Sequence, residues 1–128
     1  MAKILLVEDD AFIAEIYEKK LGDAGFEIFN AKTGHEALKR IAETSFDLVL
    51  LDMVLPEMPG LEVLHELRGK AEYDKNLKVV VFSNLSGPEE QEAAKKAGAT
   101  GFISKTAFTP SQVVDEVKRY LGESPVTQ

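Results

Sequence analysis

The chain alternates between short apolar runs and longer stretches in which apolar residues return every three or four positions. The runs are Ile4 to Val7, Phe26 to Ala31, Leu48 to Leu51, Val79 to Phe82 and Gly101 to Ser104. Each is too short for a helix and each precedes a segment of helical period, a pattern that predicts an α/β fold on a parallel sheet. The first, third and fourth runs are apolar throughout, as strands covered on both faces must be. The second alternates Phe26 and Ile28 with Glu27 and Asn30, and the fifth is short. Runs one, three and four therefore belong at the centre and two and five at the edges. With right-handed crossovers the simplest arrangement is a doubly wound five-stranded sheet of order 2-1-3-4-5, with five helices.

Helix starts are marked by side chains able to satisfy the amides that lack partners in a first turn. Asp10 is placed to cap the first helix, and Thr33 with Glu36, Ser86 with Glu89 and Thr109 with Gln112 have the spacing of capping boxes. Pro110 follows Thr109 at the first helical position, where its missing N–H costs nothing. The predicted apolar faces are Phe12, Ile13, Ile16, Tyr17 and Leu21; Ala37, Leu38 and Ile41; Leu61, Leu64 and Leu67; and Val113, Val114, Val117, Tyr120 and Leu121. The fourth helix offers only Ala93, Ala94 and Ala97, which bury little area, so it is expected to be the least firmly held. No repeat or linker interrupts the pattern. The expectation is one domain over residues 1–122 with a short tail, 123–128.

Composition narrows the function. Fifteen lysines and arginines against 22 aspartates and glutamates give a net charge of −7, which disfavours recognition of a nucleic-acid backbone. Without cysteine there is no disulfide, thiolate metal site or cysteine nucleophile. Nothing resembles a signal peptide or a membrane span, and the expected location is the cytoplasm.

In a doubly wound sheet the strands' C-terminal ends share one edge, and ligands bind there beside the point where strand order reverses. Glu8, Asp9 and Asp10 follow the first strand, Asp52 the third, Ser83 the fourth and Lys105 the fifth. Taken singly these are helix caps, strand exits, a turn hydroxyl and a surface amine. Together they describe a site. Carboxylates converging on one crevice repel unless a cation compensates, and their hard oxygens suit Mg²⁺. A lysine and a hydroxyl facing them suit a phosphoryl group. His35 and His65 have no ligand partners at suitable spacing and read as surface residues, while Met53 and Met58 read as loop packing.

Val7-Glu8-Asp9-Asp10, the run Leu50 to Pro56 followed by Gly60, Ser83 after an apolar strand, Ala97-Gly98-Ala99 and Lys105 together resemble the receiver domain of two-component response regulators. The resemblance spans essentially the whole chain and implies a flavodoxin-like fold. It implies that Asp52 accepts a phosphoryl group from a sensor histidine kinase or a histidine phosphotransfer protein. It further implies that Glu8, Asp9, Asp52 and the backbone carbonyl of Val54 serve Mg²⁺, with Glu8 acting through water. Lys105 would pair with the phosphoryl oxygens, Ser83 would move to bond them, and Phe102 would report that move at an output face of fourth helix, fifth strand and fifth helix. Such a domain catalyses only its own phosphorylation and dephosphorylation. Its output passes to a downstream protein, as a monomer or a phosphorylation-dependent dimer, without touching nucleic acid or membrane.

The sequence departs from the family where Lys105 is followed by Thr106-Ala107-Phe108 rather than proline, with one residue inserted before Thr109. Phenylalanine at 102 can signal by packing alone. Val54 and Leu85, two positions beyond Asp52 and Ser83, are apolar and cannot orient water, so slow loss of the phosphoryl group is expected. A flavin carrier would need a phosphate cradle where Glu8-Asp9-Asp10 stands, and an aspartate-based phosphatase would want an acid at Val54. The remaining alternative, motivated by the missing proline, is a receiver-like interaction module that works without phosphorylation.

Overall fold

The computed structural model describes residues 2–84 and 87–122. Ten elements alternate along it: β1 (Lys3–Val7), α1 (Ala11–Asp23), β2 (Glu27–Ala31), α2 (Gly34–Glu43), β3 (Leu48–Leu51), α3 (Gly60–Gly69), β4 (Lys78–Ser83), α4 (Pro88–Lys96), β5 (Gly101–Ser104) and α5 (Pro110–Tyr120). The strands form one parallel sheet in the order β2-β1-β3-β4-β5, as the apolar pattern predicts.

Alternation along the strands divides the core into two layers. Leu5, Val7, Val49, Leu51 and Val79 face Ala37 of α2 and Val63, Leu64 and Leu67 of α3. Ile4, Leu6, Leu48, Leu50, Val80, Phe82 and Ile103 face Ala14, Tyr17 and Leu21 of α1 and Val113, Val114 and Val117 of α5. Because β1, β3 and β4 supply both layers, they are apolar between the opening lysines of β1 and β4 (Lys3 and Lys78) and their C-terminal ends.

Caps set the helix starts. Asp10 Oδ1 accepts from the Phe12 and Ile13 amides at 2.9 and 3.2 Å. At α5 the capping box is complete: Thr109 Oγ1 accepts from Gln112 N and Gln112 Oε1 from Thr109 N. At α2 it is half made, since Thr33 Oγ1 accepts from Glu36 N but Glu36 Oε1 reaches back to Lys32 N. α4 starts one residue later than the Ser86 spacing predicts. Gly87 is its N-cap, with no side-chain bond, and Pro88 occupies the first helical position. Ser86, Leu85 and 123–128 lie outside the described residues.

One predicted face is too wide. Phe12 is 72% exposed and Ile16 38%. α1 meets the sheet along Ala14, Tyr17 and Leu21, and at about 100° per residue Ile16 and Phe12 lie roughly 100° and 140° round from Tyr17. Spacing marks them as helical positions but not as members of the narrow stripe that is buried.

Candidate functional site

The ladder continues one residue past β1, β3 and β5, and that last rung delivers the polar side chains. Glu8 N donates to Ala31 O at 2.9 Å, Asp52 N to Val7 O at 3.2 Å and Lys105 N to Ser83 O at 3.0 Å. Glu8, Asp52 and Lys105 therefore leave the sheet at one edge, each backbone pinned by a neighbour.

Two residues hold this edge in shape: Asn30, which the sequence did not single out, and Gly60, which it marked only as following the run Leu50 to Pro56. Asn30, near the end of the half-buried edge strand β2, points its Nδ2 at Leu6 O (2.9 Å), Glu8 O (3.2 Å) and Ala31 O (3.3 Å). It ties the turn carrying Glu8 and Asp9 to the neighbouring strand. Gly60 N donates to Met53 O at 3.0 Å, and a Cβ at position 60 would stand 2.1 Å from Asp52 O. Only glycine permits α3 to begin that close to the backbone of Asp52.

Within the crevice, Glu8, Asp9 and Asp52 each bring a carboxylate oxygen within 4.8 Å of the others. Glu8 and Asp52 are buried, whereas Asp9 opens to solvent. The Lys105 ammonium bridges the buried pair, bonding Glu8 Oε1 and, at 2.9 Å, Asp52 Oδ2. The second Asp52 oxygen accepts from Val54 N at 3.1 Å. Beneath the ammonium lies the Phe82 ring, 5.2 Å from Nζ to centroid, itself packed edge-on by Tyr17 with centroids 4.9 Å apart. Burial alone pulls the Lys105 pKa down, but hydrogen bonds and charge from Glu8 and Asp52 outweigh it and hold the group above the ordinary value for lysine. Burial raises the Tyr17 phenol, partly offset by the charge of Lys105.

Three carboxylates against one ammonium leave the crevice negative. All the candidate donors are hard oxygens and one is open to solvent, so the residues fit a hard divalent cation that keeps part of its water shell. The site is an acidic cluster suited to such a cation.

Ser83 ends β4 fully buried at the same edge, in register with Ser104. Phe102 lies outside the crevice. It is half-buried on β5 beside Val81 and lines, with Gln91, Ala94, Lys95 and Thr100, a groove of about 540 Å³ between α4 and β5. Val54 turns an exposed apolar side chain to solvent, His35 and His65 are exposed, and Met58 packs on the core layer under α2 and α3. The sequence offered for Asn30 only a polar position near the end of the alternating second run. Tyr17 and Phe82 read as core residues, and no spacing connects either with Lys105.

The fold and the crevice are those of a phosphoacceptor signalling domain. The chain matches the response regulator receiver domain family over residues 4–118 and belongs to it. It is 33% identical over 118 residues to the chemotaxis protein CheY of Thermotoga maritima, covering 91% of this chain and 95% of the relative. Among solved structures it is similar to the Vibrio cholerae chemotaxis protein CheY4, with a TM-score of 0.85 and 32% identity over 94% of this chain and 98% of the other. It is also similar to the BeF3-activated N-terminal receiver domain of Klebsiella pneumoniae RstA, with a TM-score of 0.84 and 28% identity, covering 93% and 97%. Its function is aspartyl-phosphate signalling, and its chemistry is confined to phosphorylation and dephosphorylation of its own aspartate. Membership implies a cognate sensor kinase or phosphotransfer protein as partner. No helix among the described residues is long and apolar enough to cross a membrane.

Proposed function

We propose that Asp52 is the phosphoacceptor, taking its phosphoryl group from a phosphohistidine of a sensor kinase or phosphotransfer protein. The observation that carries this is the setting of one carboxylate: buried, held by the Val54 amide on one oxygen and by Lys105 on the other, beside Glu8 and Asp9. An Asp52 oxygen forms the new P–O bond as the P–N bond of phosphohistidine breaks, and the leaving imidazole keeps that electron pair. Lys105 stays an ammonium throughout and passes from Asp52 to the phosphoryl oxygens. Glu8, Asp9, Asp52 and the Val54 carbonyl are the groups that would hold Mg²⁺, Glu8 through water; when bound, the ion supplies positive charge toward the phosphoryl oxygens. Ser83, at the same edge, is suited to bond the phosphoryl group after transfer.

Output follows from the groove lined by Phe102. Movement of Ser83 on β4 is relayed to the neighbouring β5, where Phe102 changes its packing, and the face of α4, β5 and α5 presents that change to a downstream protein. The domain, residues 1–122, works in the cytoplasm as a monomer or a phosphorylation-dependent dimer. The apolar Val54 side chain, 59% exposed, offers no group to orient attacking water. Val54→Asn is therefore expected to shorten the phosphoryl lifetime, measured as decay of the adduct; an unchanged or longer lifetime counts against that role.

Incubation with Mg²⁺ and acetyl phosphate or phosphoramidate, followed by intact mass, tests the main reading. One added phosphoryl group that needs Mg²⁺ and is lost in Asp52→Ala is expected. An adduct that survives that substitution overturns the assignment.

A further inference from the structure

Lys105 must be held where its ammonium can reach both carboxylates, yet the residue after it is Thr106, whose backbone φ is not locked by a ring. The residue before it supplies a different restraint. Ser104 is buried at the end of β5, and its Oγ lies under the turn that follows, accepting from the Thr106 and Ala107 amides, both at 3.3 Å. Its third bond, at 3.0 Å, is to Thr106 Oγ1. A hydroxyl has two lone pairs and one hydrogen. With both lone pairs facing amides, the hydrogen is left for Thr106 Oγ1, so Ser104 is the donor in that pair and its hydroxyl is fully used.

These three bonds run from the strand end across Lys105 to residues 106 and 107. The Lys105 amide is fixed separately on Ser83 O. The side chain, two positions beyond Ile103, keeps the strand face that Ile103 shares with Phe82. Its ammonium stands over the Phe82 ring and bonds the carboxylates. With the turn clamped from below, the lysine has one exit direction.

We propose that Ser104 is a positioning residue for Lys105, its hydroxyl setting the turn that aims the ammonium at Glu8 and Asp52. The proposal rests on the phosphoacceptor reading only for its consequence in catalysis; the geometry it explains is present without phosphate. The natural contrast is a serine needed only for a stable strand end, and Lys105 itself separates the two.

The first measurement is the Lys105 side-chain ¹⁵Nζ and ¹³Cε NMR signal of the metal-free protein. In the unaltered chain it should stand apart from the solvent-exposed lysines. Ser104→Ala should move it toward them and Ser104→Thr, which keeps a hydroxyl, should restore it. Should Ser104→Ala not fold, Thr106→Val at an exposed position removes one of the three bonds and should give a smaller shift in the same direction. The second measurement is the phosphorylation rate with acetyl phosphate at saturating Mg²⁺. Ser104→Ala should lower it by about tenfold, and by nothing further when Lys105 is already alanine. A Lys105 signal indifferent to Ser104→Ala, or an equal rate loss with and without Lys105, overturns the proposal. A native protein that gains no phosphoryl group overturns the phosphoacceptor reading instead, and the NMR signal still decides the role of Ser104.

Discussion

α4 and α5 flank the same edge strand, β5, and are held to the sheet in opposite ways. α5 starts in a complete capping box and buries Val113, Val114 and Val117. Its Tyr120 ring lies so close over Gly101 that a Cβ there would come within 2.2 Å of it. α4 starts at Gly87 without a side-chain cap and buries Ala94, with Ala97 at its end. A valine carries two carbons more than an alanine, worth about 1.6 kcal/mol of burial each at about 0.8 kcal/mol per carbon. Three valines against two alanines therefore separate the helices by several kcal/mol. One side of β5 is built to stay and the other can rearrange, and the groove lined by Phe102 opens on the side that can.

Native-state hydrogen exchange is the strongest way to break this contrast. α4 amides are expected to exchange at least about 100-fold faster than those of α5, through local opening that leaves the sheet intact. Equal protection of the two helices would remove α4 as the yielding element. Val117→Ala comes next, with an expected loss of about 2 kcal/mol in urea unfolding, because it empties a fully buried site. A loss under about 0.5 kcal/mol would show that α5 is held by something other than its valines. Thr109→Ala should cost about 1 kcal/mol by opening the capping box. The smallest effect runs the other way. Gly87 has φ −70°, which any residue adopts, and Gly87→Ser supplies the cap α4 lacks. A gain of a few tenths of a kcal/mol is expected, with slower exchange confined to α4.

Strand order was readable because three runs are apolar on both faces and two are not, which is a direct imprint of central and edge positions. The crevice was readable for a related reason. Glu8, Asp52 and Lys105 each stand immediately after a run, where a parallel sheet gathers its C-terminal ends. What could not be read depends on angles and distances between segments far apart in the chain. Phe12 and Ile16 satisfy helical spacing, but which part of α1 meets the sheet is settled by how it leans on α5 and β2. The half-made box at α2 turns on where the Glu36 side chain reaches. The start of α4 was within reach, since Pro88 itself marks a first helical position and so points to Gly87 as the cap. Asn30 and Ser104 look like ordinary polar residues, and only the bonds they make to carbonyls and amides of other residues show their part in the site.

Gly60 carries a lesson for anyone who would transplant this crevice into another scaffold. The carboxylates and the lysine are the obvious cargo, but the backbone of Asp52 lies where it does only because the first residue of α3 has no side chain. A graft that carries the charges and leaves an alanine at that corner would push the acceptor loop outward. The recipient would hold every reactive group and still lack the site.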